Sequence, residues 1–170
     1  MNLENRIYEL ASQLGRALAD RGMWMVTAES CTGGGIACAV TEIAGSSGWF
    51  DRSFVTYTNE AKQEMLGVSS ASLTSYGAVS EAVVLEMARG ALARSHSDIA
   101  VAVSGIAGPG GGSEFKPVGT VWFAWAEKSG RAEALLVRFD GDRHAVRRQA
   151  VAQALSGLLA LVTQKGLDTV

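Results

Sequence analysis

The sequence has few of the residues that bind metal ions or cross-link a chain. Its 170 residues include two cysteines and two histidines. Cys31 and Cys38 are seven positions apart, and neither a CxxC nor an HxxxH spacing occurs. These absences argue against a structural zinc site and against a disulfide framework. They are typical of a reduced, cytoplasmic protein without a bound metal.

Long apolar runs and clusters of basic residues are also missing. The longest apolar runs, VWFAWA and LLALV, are far too short to span a bilayer. The first residues, MNLENRIYEL, include acids and no apolar segment, so we expect no signal peptide. The formal net charge is −2, and no stripe of lysine or arginine is interleaved with aromatics. We therefore expect neither a membrane nor a nucleic acid as partner.

The amino-acid composition is typical of a globular chain. Hydrophobic residues make up 48% of the sequence and charged residues 19%, which is typical of a folded protein. A chain of this length can bury a core without cross-links, so we expect one domain over 1–170. No internal repeat, low-complexity tract or linker interrupts it.

Apolar periodicity gives the predicted elements. A first helix carries Leu3, Ile7, Leu10, Leu14 and Leu18 on one face and ends at Gly22. Strands are predicted over 23–28, 52–58, 98–105, 118–128 and 132–140. Further helices are predicted over 34–44, 59–66, 81–95 and 142–164, with Gly166 after the last; 69–77 is loop or broken helix. Early strands alternate with helices, and the short SGR connection implies an antiparallel hairpin. The order predicts a three-layer α/β/α sandwich with a mixed, mainly parallel sheet.

The stretch TAESCTGGG ends the first predicted strand and begins the next helix. Ser30 is a candidate nucleophile at this strand-to-helix turn. Free N–H groups of Thr32, Gly33 and Gly34 at a helix start would stabilise a phosphate or a developing oxyanion. Cys31 competes with Ser30, because the helix dipole can activate a thiol. The alternative is structural: the hydroxyls only cap the helix, and the glycines allow close packing.

The stretch TYTNEAK places a tyrosine at a strand end and a lysine in the first turns of a helix. A lysine partly removed from water loses its proton more readily, so Lys62 is a candidate base toward a serine. Tyr57 could orient that lysine or relay a proton. The alternative is a surface lysine paired with Glu60 or Glu64 and a tyrosine at the rim of the sheet.

The stretch SGIAGPGGGSEFKPVGT is dense in glycine and follows a strand that we expect to be central. Because glycine loses much conformational entropy on folding, such a loop usually brings backbone close to a ligand. No Gly-Lys-Ser/Thr follows it, and a strand rather than a helix comes next, so it matches neither a P-loop nor a dinucleotide fingerprint. The alternative is a wide connection between strands. The candidate ligand contacts are Ser104, Gly105, Gly108, Gly110 and Gly111.

The stretch FDGDRHAVRRQ begins the last predicted helix. Asp142 can cap this helix, Arg143 lies at its start, and Arg147 follows one turn later on the same face. Arginine beside a helix N-terminus suits a phosphate group. The alternative is a solvated basic face, and His144, which lacks an evident acidic partner, is expected at the surface.

Six strings, in order along the chain, carry a resemblance to a known family. They are AESCTGG, YTNEAK, GAVSE, VSGIAGPGGG, KPVGTVW, and GDR with Arg147. They extend from Glu29 to Arg147, and six ordered strings are far more specific than any one of them. The sequence therefore resembles the CinA C-terminal domain family, also known as the nicotinamide-nucleotide amidase family.

The resemblance implies an α/β/α fold and a cytosolic bacterial enzyme. Such an enzyme hydrolyses the carboxamide of nicotinamide mononucleotide, giving nicotinate mononucleotide and ammonia, with neither metal nor cofactor. By motif match, Ser30 is the nucleophile, Lys62 the general base and Tyr57 a supporting group. The expected partner is this small pyridine nucleotide, whose phosphate is expected on Arg143, the glycine-rich loop, or both.

Three further expectations accompany the resemblance. The loop departs from the family pattern at Phe115, where a small or acidic residue is expected. A second hypothesis is a binding module that holds a nucleotide or a partner protein in a competence or DNA-damage pathway without turnover. Small α/β enzymes commonly self-associate, so we expect a homo-oligomer, with Trp49, Phe50 and Trp122 as candidate contact residues.

Overall fold

The computed structural model of the protein describes residues 1–164, in which helices cover both faces of a β-sheet. The strands are β1 (Met25–Glu29), β2 (Phe50–Val55), β3 (Ile99–Gly105), β4 (Thr120–Glu127) and β5 (Ala132–Arg138). The helices are α1 (Leu3–Arg21), α2 (Gly35–Thr41), α3 (Asn59–Leu66), α4 (Ser70–Tyr76), α5 (Glu81–Ala93) and α6 (Arg143–Val162), with a short 3-10 turn at Ser46–Gly48. Gly166, predicted to follow the last helix, lies outside the described residues.

Within residues 1–164 the strands form one sheet in the order β2-β1-β3-β4-β5. β1 pairs in parallel with β2 and β3, whereas β4 pairs antiparallel with both β3 and β5. Among these strands β4 therefore runs against the others. β3 lies in the middle of the sheet, as its continuous apolar run predicted. The predicted β4–β5 hairpin is confirmed.

Alternating strand residues face two separate cores, one on each side of the sheet. The first core joins α1, α2 and α6 to Met25, Val101 and Phe123. The second joins α5 and the end of α3 to Val26 and Ala102. Successive side chains of a strand point to opposite faces, so neighbours such as Met25 and Val26 divide between the cores. The predicted three-layer α/β/α sandwich with a mixed sheet is confirmed.

Helix boundaries follow the capping signals of the sequence. Gly22 ends α1 in the left-handed conformation, at a φ of 62°. The side chains of Thr58, Ser80 and Asp142 accept N–H groups at the starts of α3, α5 and α6. The stretch SSASLTSYG, which the sequence left between loop and broken helix, forms α4 because Ser69 caps it in the same way.

The helix after β1 begins later than predicted. Gly33 and Gly34 have φ angles of 58° and 93°, in the left-handed region that an α-helix does not use. α2 therefore begins at Gly35, and Ser30 lies in a separate turn ahead of it.

Trp49 is not available as a contact residue for self-association. Its side chain is 4% exposed and packs on α1, where a Cβ on Gly15 would lie 2.6 Å from the indole ring. The prediction that Trp49 lies at a contact surface is wrong, because the ring fills the gap that this glycine leaves. Phe50 and Trp122 are half-buried.

Candidate active site

A cavity of about 270 Å³ opens where β1 and β3 end. Ligands of open α/β sheets gather at the carboxyl ends of parallel strands, and this cavity lies at that edge. The structure brings together these predicted site residues in its lining: Ser30, Tyr57, Lys62, Ser104, Gly105, Gly108, Gly110, Gly111 and Arg143. Asn59, Ala78, Val79 and Ile106 line it as well, and sequence reasoning had not assigned them to the site.

A serine–lysine pair lies in this cavity. The Nζ atom of Lys62 is 2.9 Å from the Oγ atom of Ser30. The same Nζ donates to the backbone carbonyl of Thr56 at 2.8 Å and to that of Tyr57 at 3.1 Å. The side chains predicted to act as nucleophile and base are thus within direct hydrogen-bond reach.

Burial lowers the pKa of Lys62 from 10.5 to about 8. Removal from water disfavours the charged ammonium, and the oxygens around it belong to carbonyls and a hydroxyl rather than to carboxylates. The alternative of a surface lysine paired with Glu60 or Glu64 is wrong, because Lys62 is 1% exposed. At neutral pH about a tenth of the lysine is therefore neutral and able to accept a proton.

Parallel strand pairing brings these two side chains together although they are 32 positions apart in the chain. Ser30 directly follows β1, and its N–H donates to the carbonyl of Val103 in β3 at 3.0 Å. Lys62 lies in the first turns of α3, which follows the neighbouring strand β2. Because β1 and β2 run in parallel, both segments leave the sheet at the same edge.

A buried carboxylate behind the nucleophile is a residue that sequence reasoning had not assigned a role. Glu29 is fully buried at the end of β1. Its oxygens accept hydrogen bonds from the hydroxyls of Thr32 (2.7 Å) and Ser53 (3.2 Å) and from the N–H groups of Ile36 (2.9 Å) and Ala37 (3.0 Å). The available signal was an acid at the end of an apolar strand, since a buried charge requires several donors.

The predicted oxyanion donors Thr32, Gly33 and Gly34 do not line the cavity. The Thr32 hydroxyl donates to Glu29, and the N–H of Gly33 donates to the carbonyl of Ser30 at 3.0 Å. The N–H groups of the first turn of α2 are bound by the Glu29 carboxylate. The Gly33 N–H is therefore engaged within the turn, whereas an oxyanion role for the N–H groups of Thr32 and Gly34 stays a prediction.

Cys31 lines the cavity beside Ser30, but its thiol is not activated. It is 6% exposed, and burial raises the pKa of this thiol to about 12. The thiolate is the nucleophilic form of cysteine, so Cys31 stays protonated and inert at neutral pH. Of the two competing nucleophiles, the structure favours Ser30.

Arg143 lies at the rim of the cavity and connects two of its walls. Its Nη1 donates to the carbonyl of Gly108 at 2.8 Å, and its Nη2 donates to the Tyr57 hydroxyl at 3.2 Å. Tyr57 lies beyond the end of β2, and its side chain is 60% exposed. Tyr57 therefore contacts Lys62 through its backbone carbonyl, whereas its hydroxyl faces the arginine.

The glycine-rich loop brings backbone to the opposite wall. Ser104 is buried at the end of β3, and at Gly105 a Cβ would lie 2.7 Å from the Val121 side chain. Gly108 has a φ of 87°, which favours glycine. Phe115, where the loop departs from the family pattern, is 84% exposed and does not line the cavity. The departure therefore lies away from the serine–lysine pair.

Arg147 extends from α6 to the turn that follows the nucleophile. Its Nε donates to the carbonyl of Cys31 at 3.0 Å and its Nη2 to that of Thr32 at 3.1 Å. With Arg143 and the exposed His144 it also lines a neighbouring hollow of about 710 Å³. That hollow is larger, but the serine–lysine pair lies in the smaller cavity.

Residues 1–164 contain no group of three or more His, Cys, Asp or Glu side chains placed to hold a metal ion. Over the same residues, no helix combines the length and the apolar character needed to cross a bilayer.

Known proteins resemble this chain over nearly its whole length. Nicotinamide-nucleotide amidohydrolase PncC of Enterobacter agglomerans is 58% identical over 156 residues, covering 92% of this chain and 95% of that protein. The protein of the same name from Escherichia coli K12 is 57% identical, covering 91% of this chain and 94% of that protein. A longer CinA-like protein of Akkermansia muciniphila is 54% identical over 84% of this chain, which corresponds to 34% of its own length.

Solved structures show the same fold. The crystal structure of the competence/damage inducible protein CihA from Agrobacterium tumefaciens superposes with a TM-score of 0.90 at 52% identity, covering 92% of this chain and 95% of that one. Residues 7–162 match the model of the CinA C-terminal domain. The chain belongs to the CinA C-terminal domain family.

Proposed function

We propose that this protein is a nicotinamide-nucleotide amidohydrolase, which converts nicotinamide mononucleotide and water into nicotinate mononucleotide and ammonia. The observation that carries the proposal is the 2.9 Å contact between the Lys62 Nζ and the Ser30 Oγ, both of them buried side chains that line the cavity. The names of the PncC relatives, more than half identical to this chain, supply the substrate. We also place the enzyme in the cytoplasm, where pyridine nucleotides are recycled.

The contacts of Lys62 support its role as the general base. In its neutral form the amine has two hydrogens and one lone pair. The carbonyls of Thr56 and Tyr57 accept the two hydrogens, so the lone pair points toward the third neighbour, Ser30. The serine hydroxyl then donates its hydrogen to this nitrogen. Two main-chain carbonyls thus orient the base without an acid that would raise its pKa.

The reaction is an acyl transfer in two halves. Ser30 Oγ forms a bond to the carboxamide carbon while Lys62 takes the hydroxyl proton. When the tetrahedral intermediate collapses, the carbon–nitrogen bond breaks and Lys62 returns the proton to the departing ammonia. Water then attacks the acyl-serine ester, Lys62 takes a proton from it, and the Ser30–carbon bond breaks to release the carboxylate. Each proton removed is returned, so this route uses neither a metal nor a cofactor.

The charge of the cavity fits an anionic nucleotide. Among the described residues that line it, the charged side chains are Lys62 and Arg143, both cationic. Arg143 is at the rim, where a phosphate attached to the far end of the substrate would lie, and its guanidinium suits phosphate oxygens. The backbone of Gly110 and Gly111 lines the same region and offers donors without side-chain bulk.

The test is ammonia release from nicotinamide mononucleotide by the purified protein. We expect turnover by the wild type and a loss of at least about a thousandfold in kcat for Ser30→Ala and Lys62→Met. Cys31→Ala is the matched control, since it alters the neighbouring cavity residue and should keep most of the activity. Full activity in Ser30→Ala, or its loss in Cys31→Ala alone, would contradict the serine mechanism.

The second hypothesis, a binding module without turnover, finds support in the names of some relatives. One, from Symbiobacterium thermophilum, is called a putative competence-damage inducible protein. A non-catalytic binder has no need of a buried lysine with a lowered pKa beside a serine, which is why we favour the amidase. A folded wild type that is persistently stabilised by the nucleotide but releases no ammonia would support the binding module.

A homo-oligomer without nucleic acid remains our proposal for the assembly, to be tested by light scattering.

A further inference from the structure

The turn that carries the nucleophile is held by one arginine from the opposite end of the chain. Arg147 donates through Nε to the Cys31 carbonyl at 3.0 Å and through Nη2 to the Thr32 carbonyl at 3.1 Å. These two carbonyls belong to consecutive peptide groups of the turn after Ser30, Cys31–Thr32 and Thr32–Gly33. The planar guanidinium presents its donors in a fixed geometry, so the contacts fix both peptide planes at once.

The orientation of these two peptide groups also determines the orientation of the Ser30–Cys31 peptide. A trans peptide group points its carbonyl and its N–H in opposite directions. With the Thr32 carbonyl on Arg147, the Gly33 N–H points away from Arg147 and donates to the Ser30 carbonyl at 3.0 Å. That bond fixes the Ser30–Cys31 peptide in turn, whose N–H points away from the Ser30 carbonyl.

Cys31 is the residue after the nucleophile, and it lines the substrate cavity, whereas Arg147 does not. Within residues 1–164 no acceptor on another residue binds the Cys31 N–H, and its one partner is the thiol of Cys31 itself. An N–H group at this place, beside the attacking oxygen, is suited to stabilise the oxyanion of a tetrahedral intermediate.

We propose that Arg147 is a positioning residue for the amidase reaction: it fixes the peptide planes of the Ser30–Gly33 turn so that the Cys31 N–H faces the developing oxyanion. The inference rests on the proposed function, because it assigns a role within that acyl transfer. Arg147 touches neither Ser30 nor Lys62, and it acts through the two carbonyls that it binds.

The experiment compares Arg147→Ala, Arg147→Lys and Arg147→Gln with the control Arg148→Ala. Arg148 is the next residue of α6, but it pairs with Glu4 at the surface, with its Nε 2.8 Å from the carboxylate. Two rates are measured: ammonia release from nicotinamide mononucleotide, split into kcat and KM, and labelling of Ser30 by a fluorophosphonate, followed by mass spectrometry. The fluorophosphonate places a phosphoryl oxygen in the oxyanion site whatever the natural substrate is.

For Arg147→Ala we expect kcat and the labelling rate to fall about 100-fold, as for the loss of an oxyanion donor, with KM changed less than about threefold. Millimolar guanidinium should restore part of both rates in this variant, whereas ethylammonium should not, because one ammonium cannot bind two carbonyls in a fixed plane. Arg147→Lys should stay well below wild type for the same reason. The pH at which the rate rises should not move, and Arg148→Ala should retain wild-type rates.

Several outcomes would overturn the proposal. A kcat within about threefold of wild type in Arg147→Ala shows that the turn needs no arginine. A rise in KM at unchanged kcat assigns Arg147 to substrate binding instead, and full activity in Arg147→Lys assigns the effect to charge. If Arg147→Ala does not fold, the kcat and KM of Arg147→Gln are judged by the same criteria. A wild type that is labelled but releases no ammonia contradicts the proposed substrate alone, and the labelling rates still test Arg147.

Discussion

The two walls of the cavity are built in opposite ways. The turn from Ser30 to Gly33 is held by buried or half-buried charged side chains, Glu29 on one side and Arg147 on the other. The glycine-rich loop is held mainly by its own backbone. Two side chains add to this: the Nζ of half-buried Lys116 donates to the Tyr76 carbonyl at 2.7 Å, and exposed Arg143 donates to the Gly108 carbonyl at 2.8 Å. The wall where a covalent bond would form is fixed by charges, while the wall where a substrate would lie offers open backbone.

Glu29 gives the largest expected effect on stability, because it anchors the turn and the start of α2 together. In Glu29→Gln the amide replaces one acceptor oxygen with donors that would face other donors. We expect the free energy of unfolding to fall by about 2–3 kcal/mol and kcat to fall at least about 100-fold. Urea unfolding and steady-state kinetics measure the two effects.

The matched control for that variant is Glu42→Gln, at the exposed end of α2. It should change stability by no more than about 0.5 kcal/mol and leave kcat unchanged. Equal changes in the free energy of unfolding and in kcat for the two variants would mean that the Glu29 side chain does not fix the turn.

The pH dependence of the reaction rate tests the role of Lys62, which contacts Ser30 in the same wall. We propose the neutral amine as the base, and burial lowers its pKa to about 8, so kcat/KM should rise with pH up to about 8 and then level off. Below that value the rate should fall about tenfold per pH unit. A rate that is flat between pH 6 and 9, across a change of about a thousandfold in proton concentration, would contradict lysine as the base.

Stability should follow the same ionisation. The unfolded lysine titrates near 10.5 and the folded one at about 8, so between these values the unfolded state binds more protons. By linkage, the free energy of unfolding rises with pH across that window. In Lys62→Met this contribution should disappear, and the difference between the two proteins is read from urea unfolding at several pH values.

Arg143 at the rim should give a smaller effect, because we propose that it binds the substrate phosphate rather than the reacting carbon. We expect Arg143→Ala to raise KM about tenfold with kcat reduced less than about threefold. Arg89→Ala, an exposed arginine on α5, is the control for the loss of one positive charge. A kcat loss larger than the KM change would move Arg143 from binding to the chemical step.

Phe115 gives the smallest effect and tests the tolerance of the loop. Its ring is 84% exposed and does not line the cavity, so Phe115→Ala should leave kcat and KM within about twofold of wild type. A clear increase in KM would show that the loop closes over the bound nucleotide and brings the ring to it.

Local signals in the sequence predicted most of the fold. The leucine periodicity and Gly22 defined α1, Thr58 and Asp142 marked the starts of α3 and α6, and the run IAVAVSG identified the central strand. These features depend on residues within a few positions of one another, so a linear pattern contains them. The resemblance added the serine–lysine pair, whose members the structure places in contact.

The turn itself was not predictable from its own nine residues. The pattern TAESCTGGG predicts a helix start. The left-handed conformations of Gly33 and Gly34 nevertheless keep this turn out of the helix. The buried Glu29 side chain then caps the start of α2. The sequence predicted the oxyanion donors one to three residues beyond Cys31, whose N–H we propose for that role. A cap that comes from the preceding strand leaves no short-range pattern.

By itself the sequence determined the order of helices and strands, the position of the core faces and the identity of the candidate nucleophile and base. Tertiary structure alone decided that Lys62 is buried without an acid, that Cys31 is inert, and that an arginine 116 positions away holds the Cys31 carbonyl. The physical reason is that pKa values and peptide orientations depend on desolvation and on partners from distant segments, which come together only when the sheet forms.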